Sequence, residues 1–173
     1  GGVSCWGYNE YGMLGRDHKR IVNSAASVQY AVTGVARVFG GPVSQHVCVD
    51  SMRGLVCWGS NSHWQLGGDY WVNLGDASNE MAATFVCRNP GFAAAALGHQ
   101  HTCEIRAGSV SCWGDGASGQ LGVAVSGKVA APRAEVDMGG EKAVSLSLGY
   151  CHSCAVTEAQ NALCWGCGGS GQL

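Results

Sequence analysis

Charge is what this sequence has least of. Asp, Glu, Lys and Arg make up 13% of its 173 residues, about half the usual share for a soluble domain. The net charge is −2, and the basic residues are scattered with no basic run. A phosphate-neutralising surface is therefore not indicated, and no nucleic-acid partner is expected. No apolar stretch approaches the roughly 18 residues that a membrane span needs. The longest run of small apolar residues, Ala93–Leu97, falls far short. Apolar spacing of the helical period over a dozen residues is missing, which excludes an α-solenoid. Gly-x-Ser-x-Gly, His-Glu-x-x-His and the phosphate loop Gly-x-x-x-x-Gly-Lys-Ser/Thr are all absent. No catalytic residue, cofactor or metal ion is singled out, and the expectation is a protein that is not an enzyme. There is no Asn-x-Ser/Thr acceptor for N-glycosylation, and there are only 3 prolines.

Against these gaps stand 28 glycines, 10 cysteines and 6 tryptophans. Disordered chains avoid the last two, so the glycines mark tight turns between short strands. The triplet Cys-Trp-Gly recurs at Cys5-Trp6-Gly7, Cys57-Trp58-Gly59, Cys112-Trp113-Gly114 and Cys164-Trp165-Gly166, in steps of 52, 55 and 52 residues. A second element follows each triplet: Gly12-Met13-Leu14-Gly15, Trp64-Gln65-Leu66-Gly67, Gly119-Gln120-Leu121-Gly122 and Gly171-Gln172-Leu173. A third precedes three of them: His46-Val47-Cys48, His101-Thr102-Cys103 and His152-Ser153-Cys154.

The third and first elements read as a β-hairpin. Between Cys103 and Cys112, Ile105 pairs with Val110 around a short loop holding Ala107-Gly108, and Cys103 lies opposite Cys112. Strand-like stretches precede the hairpins at Val35–Phe39, Phe92–Leu97 and Ala143–Leu148. A period of ~50 residues holding several short strands is the signature of propeller blades. Each of Trp6, Trp58, Trp113 and Trp165 is expected to pack between blades, where a large aromatic supplies burial to a thin sheet.

The pattern His-Thr-Cys, Cys-Trp-Gly, Gly-Gln-Leu-Gly resembles the regulator-of-chromosome-condensation repeat, in its cysteine-bearing bacterial and secreted variety. The resemblance covers nearly the whole chain. It implies an all-β, partial β-propeller of four-stranded antiparallel blades, about three of a probable seven. Met13 departs from the usual Gln and Trp64 from the usual Gly, Asp115 and Cys167 occupy a variable position, and two extra residues lie between Gly41 and His46. The expected division is 1–33 for the end of a first blade and a loop, 34–90 and 91–140 for two blades, and 141–173 for an incomplete one. Gly1–Cys5 matches Gly108–Cys112, so the chain reads as a fragment of about three and a third repeats. A seven-bladed ring at this period needs roughly 370 residues. The open blade faces then call for cover, from the rest of a longer protein or from neighbouring copies.

Cys48–Cys57, Cys103–Cys112 and Cys154–Cys164 are opposed blade by blade, and Cys151–Cys167 falls in the same register. Ten cysteines favour an oxidising compartment. Two other states stay open: free core thiols, and a zinc site at Cys151-x-x-Cys154 with Cys164-x-x-Cys167. Gln45 and Gln100, with Ser60 and Asp115, replace the outer cysteines elsewhere and weigh against zinc. Cys5 and Cys87 have no evident partner.

His46, His101 and His152 recur once per blade, which fits a structural role better than catalysis. Asp69, Asp76 and Glu80 fit no calcium loop and read as solvated loop charge. Function in such a scaffold belongs to the variable loops at 16–33, 68–90 and 123–141. The second holds Tyr70, Trp71, Phe85 and Arg88, the residue types of interface hot spots, although packing over the blade edge would also use them. The leading expectation is an interaction or structural module of a larger secreted or cell-surface protein, able to take part in an extracellular assembly. Two alternatives follow from the resemblance alone: nucleotide exchange on a small GTPase, and secreted enzyme inhibition.

Overall fold

Turn chemistry sets the hairpins. Ala107 and Gly108 both have positive φ (49° and 89°), as a two-residue turn that matches strand twist requires. The computed structural model describes residues 2–28, 34–68, 70–83, 85–87 and 92–173, and it is all-β apart from a 3-10 turn at Glu80–Ala83. In chain order the strands are β1 (Ser4–Gly7), β2 (Val22–Ser27), β3 (Arg37–Phe39), β4 (His46–Ser51), β5 (Gly54–Gly59), β6 (Phe85–Cys87), β7 (Phe92–Leu97), β8 (His101–Arg106), β9 (Ser109–Asp115), β10 (Lys128–Glu135), β11 (Ala143–Leu148), β12 (His152–Thr157) and β13 (Ala162–Gly166).

They form antiparallel sheets in sequence order: β1-β2, β3-β4-β5-β6, β7-β8-β9-β10 and β11-β12-β13. The two middle sheets are four-stranded propeller blades. The predicted register holds residue for residue, with Cys103 opposite Cys112 and Ile105 opposite Val110. One expectation needs correcting. The segments 16–33, 68–90 and 123–141 are not loops throughout, because each contains an outer blade strand: β2, β6 or β10. These strands pair on one side only, so alternating burial does not mark them in the sequence.

Neighbouring blades share their cores. Trp113 packs with Trp58, Leu66, Val49 and Leu97. Val136, Ala143, Leu148 and Ala155 close over Cys103, Ile105 and Leu121. The connections β1–β2, β3–β4, β5–β6, β7–β8, β9–β10 and β11–β12 lie at one end of the antiparallel sheets, here called the loop rim.

Candidate functional site

A repeated hydrogen-bond node joins the blades and fixes the rim. Three of the repeat tryptophans reach back to the preceding repeat. Trp58 Nε1 donates to the Met13 carbonyl (2.8 Å), Trp113 Nε1 to the Gln65 carbonyl (3.0 Å) and Trp165 Nε1 to the Gln120 carbonyl (2.9 Å). The Gln65 carbonyl also accepts from Thr102 Oγ1 (2.8 Å), and that of Gln120 from Ser153 Oγ (2.9 Å). Each hydroxyl oxygen in turn pairs with a histidine of the blade before: His46 Nε2 to Thr102 (2.7 Å) and His101 Nε2 to Ser153 (3.0 Å). Since the hydroxyl proton goes to the carbonyl, the imidazoles must donate from Nε2. Their Nδ1 atoms are buried without a partner.

Protonating either imidazole would leave a charge inside the blade interface. Burial, helped by His101 and His99, pushes the His46 pKa down to about 3. Burial likewise lowers His101 to about 4, opposed by Asp115. His152, on the last blade, is half-buried. A methyl group on Gly98 or Gly149 would lie 2.2 Å from the ring of His101 or His152, so these rings need a bare backbone above them. Trp58 and Trp113 are fully buried, whereas Trp6 is 62% exposed and does not pack between blades as expected.

The glutamine side chains shape the loops that present the carbonyls. Gln65, Gln120 and Gln172 each accept from a backbone amide two residues earlier through Oε1, at 2.8–2.9 Å. Their Nε2 atoms turn toward Ser60, Asp115 and Cys167 respectively. Trp64 departs from this pattern. It holds φ 65° where Gly12, Gly119 and Gly171 hold 78–80°.

Of the candidate interface residues, Trp71 stands out at the loop rim, 72% exposed beside Val72 at 50%. Tyr70 is half-buried, and its carbonyl accepts from Asn61 Nδ2. Phe85 lies in β6 with its Cα opposite that of Cys57. Arg88 falls outside the described residues, as does Asp69. The loop that carries Trp71 is braced rather than loose. The Glu80 carboxylate accepts from the amides of Gly75, Asp76 and Ala77 at 2.8–3.1 Å. Asp17 accepts from the amides of Asn79 and Met81, both at 2.9 Å. Asp76 pairs with Lys19 at 3.2 Å. Asp76 and Glu80 are thus bonded to the structure, not merely solvated as expected. Sequence reasoning passed over a second aromatic pair on this rim, His99 stacked on Tyr150 with centroids 4.1 Å apart and Tyr150 61% exposed. Their matched places, one residue after Gly98 and Gly149, were the available signal.

The sulfurs of Cys48 and Cys57, Cys103 and Cys112, Cys154 and Cys164, and Cys151 and Cys167 lie at disulfide distance. The first three pairs have Cα atoms 4.1 Å apart and the rim pair Cys151–Cys167 has them 5.6 Å apart. Cys48, Cys57, Cys103 and Cys112 are fully buried. Among the described residues Cys5 is a free thiol, and burial pushes its pKa up. Also among them, no group of three or more His, Cys, Asp or Glu is placed to hold a metal ion, and no helix is long and apolar enough to cross a membrane.

Known proteins share this architecture. The family described as "Regulator of chromosome condensation (RCC1) repeat" matches residues 143–172. The secretion-regulating guanine nucleotide exchange factor of Bos taurus is 31% identical over 95% of this chain and 35% of its own. Among solved structures, human WBSCR16 superposes with a TM-score of 0.82 at 21% identity, over 96% of this chain and 43% of that one. Yeast RCC1 (Prp20), solved bound to Kap60, gives 0.74 at 20% identity, over 97% and 40%. The chain spans only 16–38% of the length of the curated relatives it matches.

Proposed function

We propose that this chain, whose residues 143–172 match the RCC1 repeat, is a run of such repeats and a non-catalytic protein-interaction segment of a larger β-propeller protein, with blade divisions at 1–33, 34–90, 91–140 and 141–173. The observation that carries this reading is Trp71, an indole 72% exposed on a loop whose backbone amides at 75–77, 79 and 81 are held by Glu80 and Asp17. A rigid exposed aromatic contributes contact area at little entropic cost and is the typical anchor of an interface. Val72, Tyr150 and the stacked His99 extend the same rim. The partner is a protein, and neighbouring copies or further repeats cover the open blade faces. The four cysteine pairs, taken as disulfides, support a secreted or cell-surface setting.

Photo-crosslinking from position 71 tests the reading in the native source. A discrete protein adduct, competed away by unlabelled chain but not by the Trp71→Ala chain, is the expected result. No adduct, or one that both chains compete equally, overturns it. Intact mass before and after thiol alkylation tests the setting: eight protected cysteines support it, and eight free thiols refute it.

A second reading rests on the 31% identity to a guanine nucleotide exchange factor. It places nucleotide release from a small GTPase in the whole protein. Release of labelled GDP no faster with the chain than without it, across a panel of small GTPases, removes that reading for these repeats.

A further inference from the structure

Three of the four cysteine pairs face each other across paired strands: Cys48–Cys57, Cys103–Cys112 and Cys154–Cys164. The first two are fully buried, packed with residues of the blade that follows. Cys151 and Cys167 are placed differently. They sit just past the end of the β12–β13 ladder, on the loop rim, and both are partly exposed. That exposure belongs to the register position. Its residues in the preceding blade, Gln100 and Asp115, stay partly exposed although β11 and β12 pack over that blade.

The rim bond is not needed to close its loop. Cys167 N donates to the Cys151 carbonyl at 2.9 Å. The same bond runs from Ser60 to Gln45 at 2.9 Å and from Asp115 to Gln100 at 2.8 Å, where no cysteine stands. Two blades thus hold this geometry without sulfur. The two rim sulfurs also differ from each other. Gln172 Nε2 reaches Cys167 Sγ at 4.0 Å. Its counterpart Gln120 donates to the Asp115 carboxylate at 3.0 Å. The place of Cys167 therefore holds an anion in the preceding blade, served by an amide donor. A thiolate leaving at Cys167 takes over that role, and a stabilised leaving thiolate speeds exchange.

We propose that Cys151–Cys167 is a thiol–disulfide exchange site for a small monothiol of the glutathione class, opening and closing on the folded blade. The thiolate of the monothiol attacks Cys151 Sγ. The S–S electron pair leaves on Cys167 Sγ, which takes up the proton that the monothiol shed. A second monothiol then attacks the sulfur of the bound one, the small disulfide departs, and Cys151 is left as a thiol. One protein disulfide is reduced and two monothiols are oxidised. The intermediate carries the small thiol on Cys151, one residue from the exposed Tyr150, so the modification lands on the aromatic part of the rim. The site rests on the reading of these pairs as disulfides, and the test separates the two.

The test uses the full folded chain in reduced glutathione. Mass spectrometry before any thiol is added should find Cys151 and Cys167 protected. Free thiols at that stage overturn the disulfide reading and this site with it; the later outcomes bear on the site alone. Samples are then quenched in acid at intervals, alkylated and mapped. Cys151 and Cys167 are expected to open at least about a hundredfold faster than Cys48–Cys57 and Cys103–Cys112, which wait for a blade to open. The first glutathione adduct is expected on Cys151. Equal rates for the rim and buried pairs overturn the exchange site, and a first adduct on Cys167 overturns the direction of attack. A Cys151→Gln/Cys167→Asp chain gives this blade the pair found in the preceding one. Its β11 and β12 amides should keep their hydrogen-exchange protection, and loss of that protection makes the bond structural and overturns the proposal.

Discussion

At the scale of single residues, the blade junctions combine well-satisfied groups with a few poorly satisfied ones. Trp113→Phe keeps most of the ring but removes the donor to the Gln65 carbonyl, and should cost about 1–2 kcal/mol in chemical denaturation. Trp113→Ala should cost about 3–5 kcal/mol, because it also opens a cavity in a fully buried site. Glu104 is the converse case. It is buried at the place of Val49 and Ala155, bonded to Arg106 through one oxygen while the other has no partner. Burial raises its pKa, against the pull of Arg106. Glu104→Val should therefore raise the unfolding free energy in chemical denaturation, by about 1 kcal/mol. Arg106→Ala, which strands the carboxylate, should lower it. The histidines set the acid limit. Below their ordinary 6.5, unfolded imidazoles bind protons that folded His46 and His101 refuse until about 3 and 4. The unfolded state then holds more protons, so stability is full above pH 6.5 and falls as the pH drops toward 4. For His101 the gap corresponds to ~3 kcal/mol. Glu104 works with the opposite sign across the carboxylate range, so the His101→Gln chain isolates the imidazole: its stability should fall less steeply between pH 6.5 and 4.

At the scale of elements, one carboxylate gathers three amides of the rim loop after β5. Glu80→Ala removes the acceptor of three backbone amides. Hydrogen exchange should quicken at residues 75–77 while the amides of β4 and β5 keep their protection. The hairpins were legible in the sequence down to register, because Cys, Ile and Val alternate and Ala107-Gly108 marks the turn. The outer strands were not. β2 and β10 carry small and mixed residues and pair on one side, so no period of two survives to announce them. The node at the blade junction was hidden for another reason. Its acceptor is a backbone carbonyl, and nothing in the letters at 13, 65 and 120 distinguishes a carbonyl that is used. The histidines and tryptophans that point to it were visible; their common target was not. Likewise, Trp71 was visible as an aromatic, but nothing in the letters around it marks it as exposed rather than packed over the blade edge.

Across the whole molecule, protection should follow the number of neighbours each blade has. Amides of β4, β5, β8 and β9, flanked on both faces, should exchange slowest, and those of β1 and β2 fastest. Equal rates in both groups would mean that the open faces are covered in solution by another copy.

The shared carbonyl has one more consequence. Every repeat offers the same backbone oxygen, whatever its side chain, and every following repeat meets it with the same indole. The indole contact, made to the main chain, does not need two side chains to change together. A gene can therefore duplicate, delete or exchange a repeat by unequal recombination, and the new neighbours meet through contacts already in place.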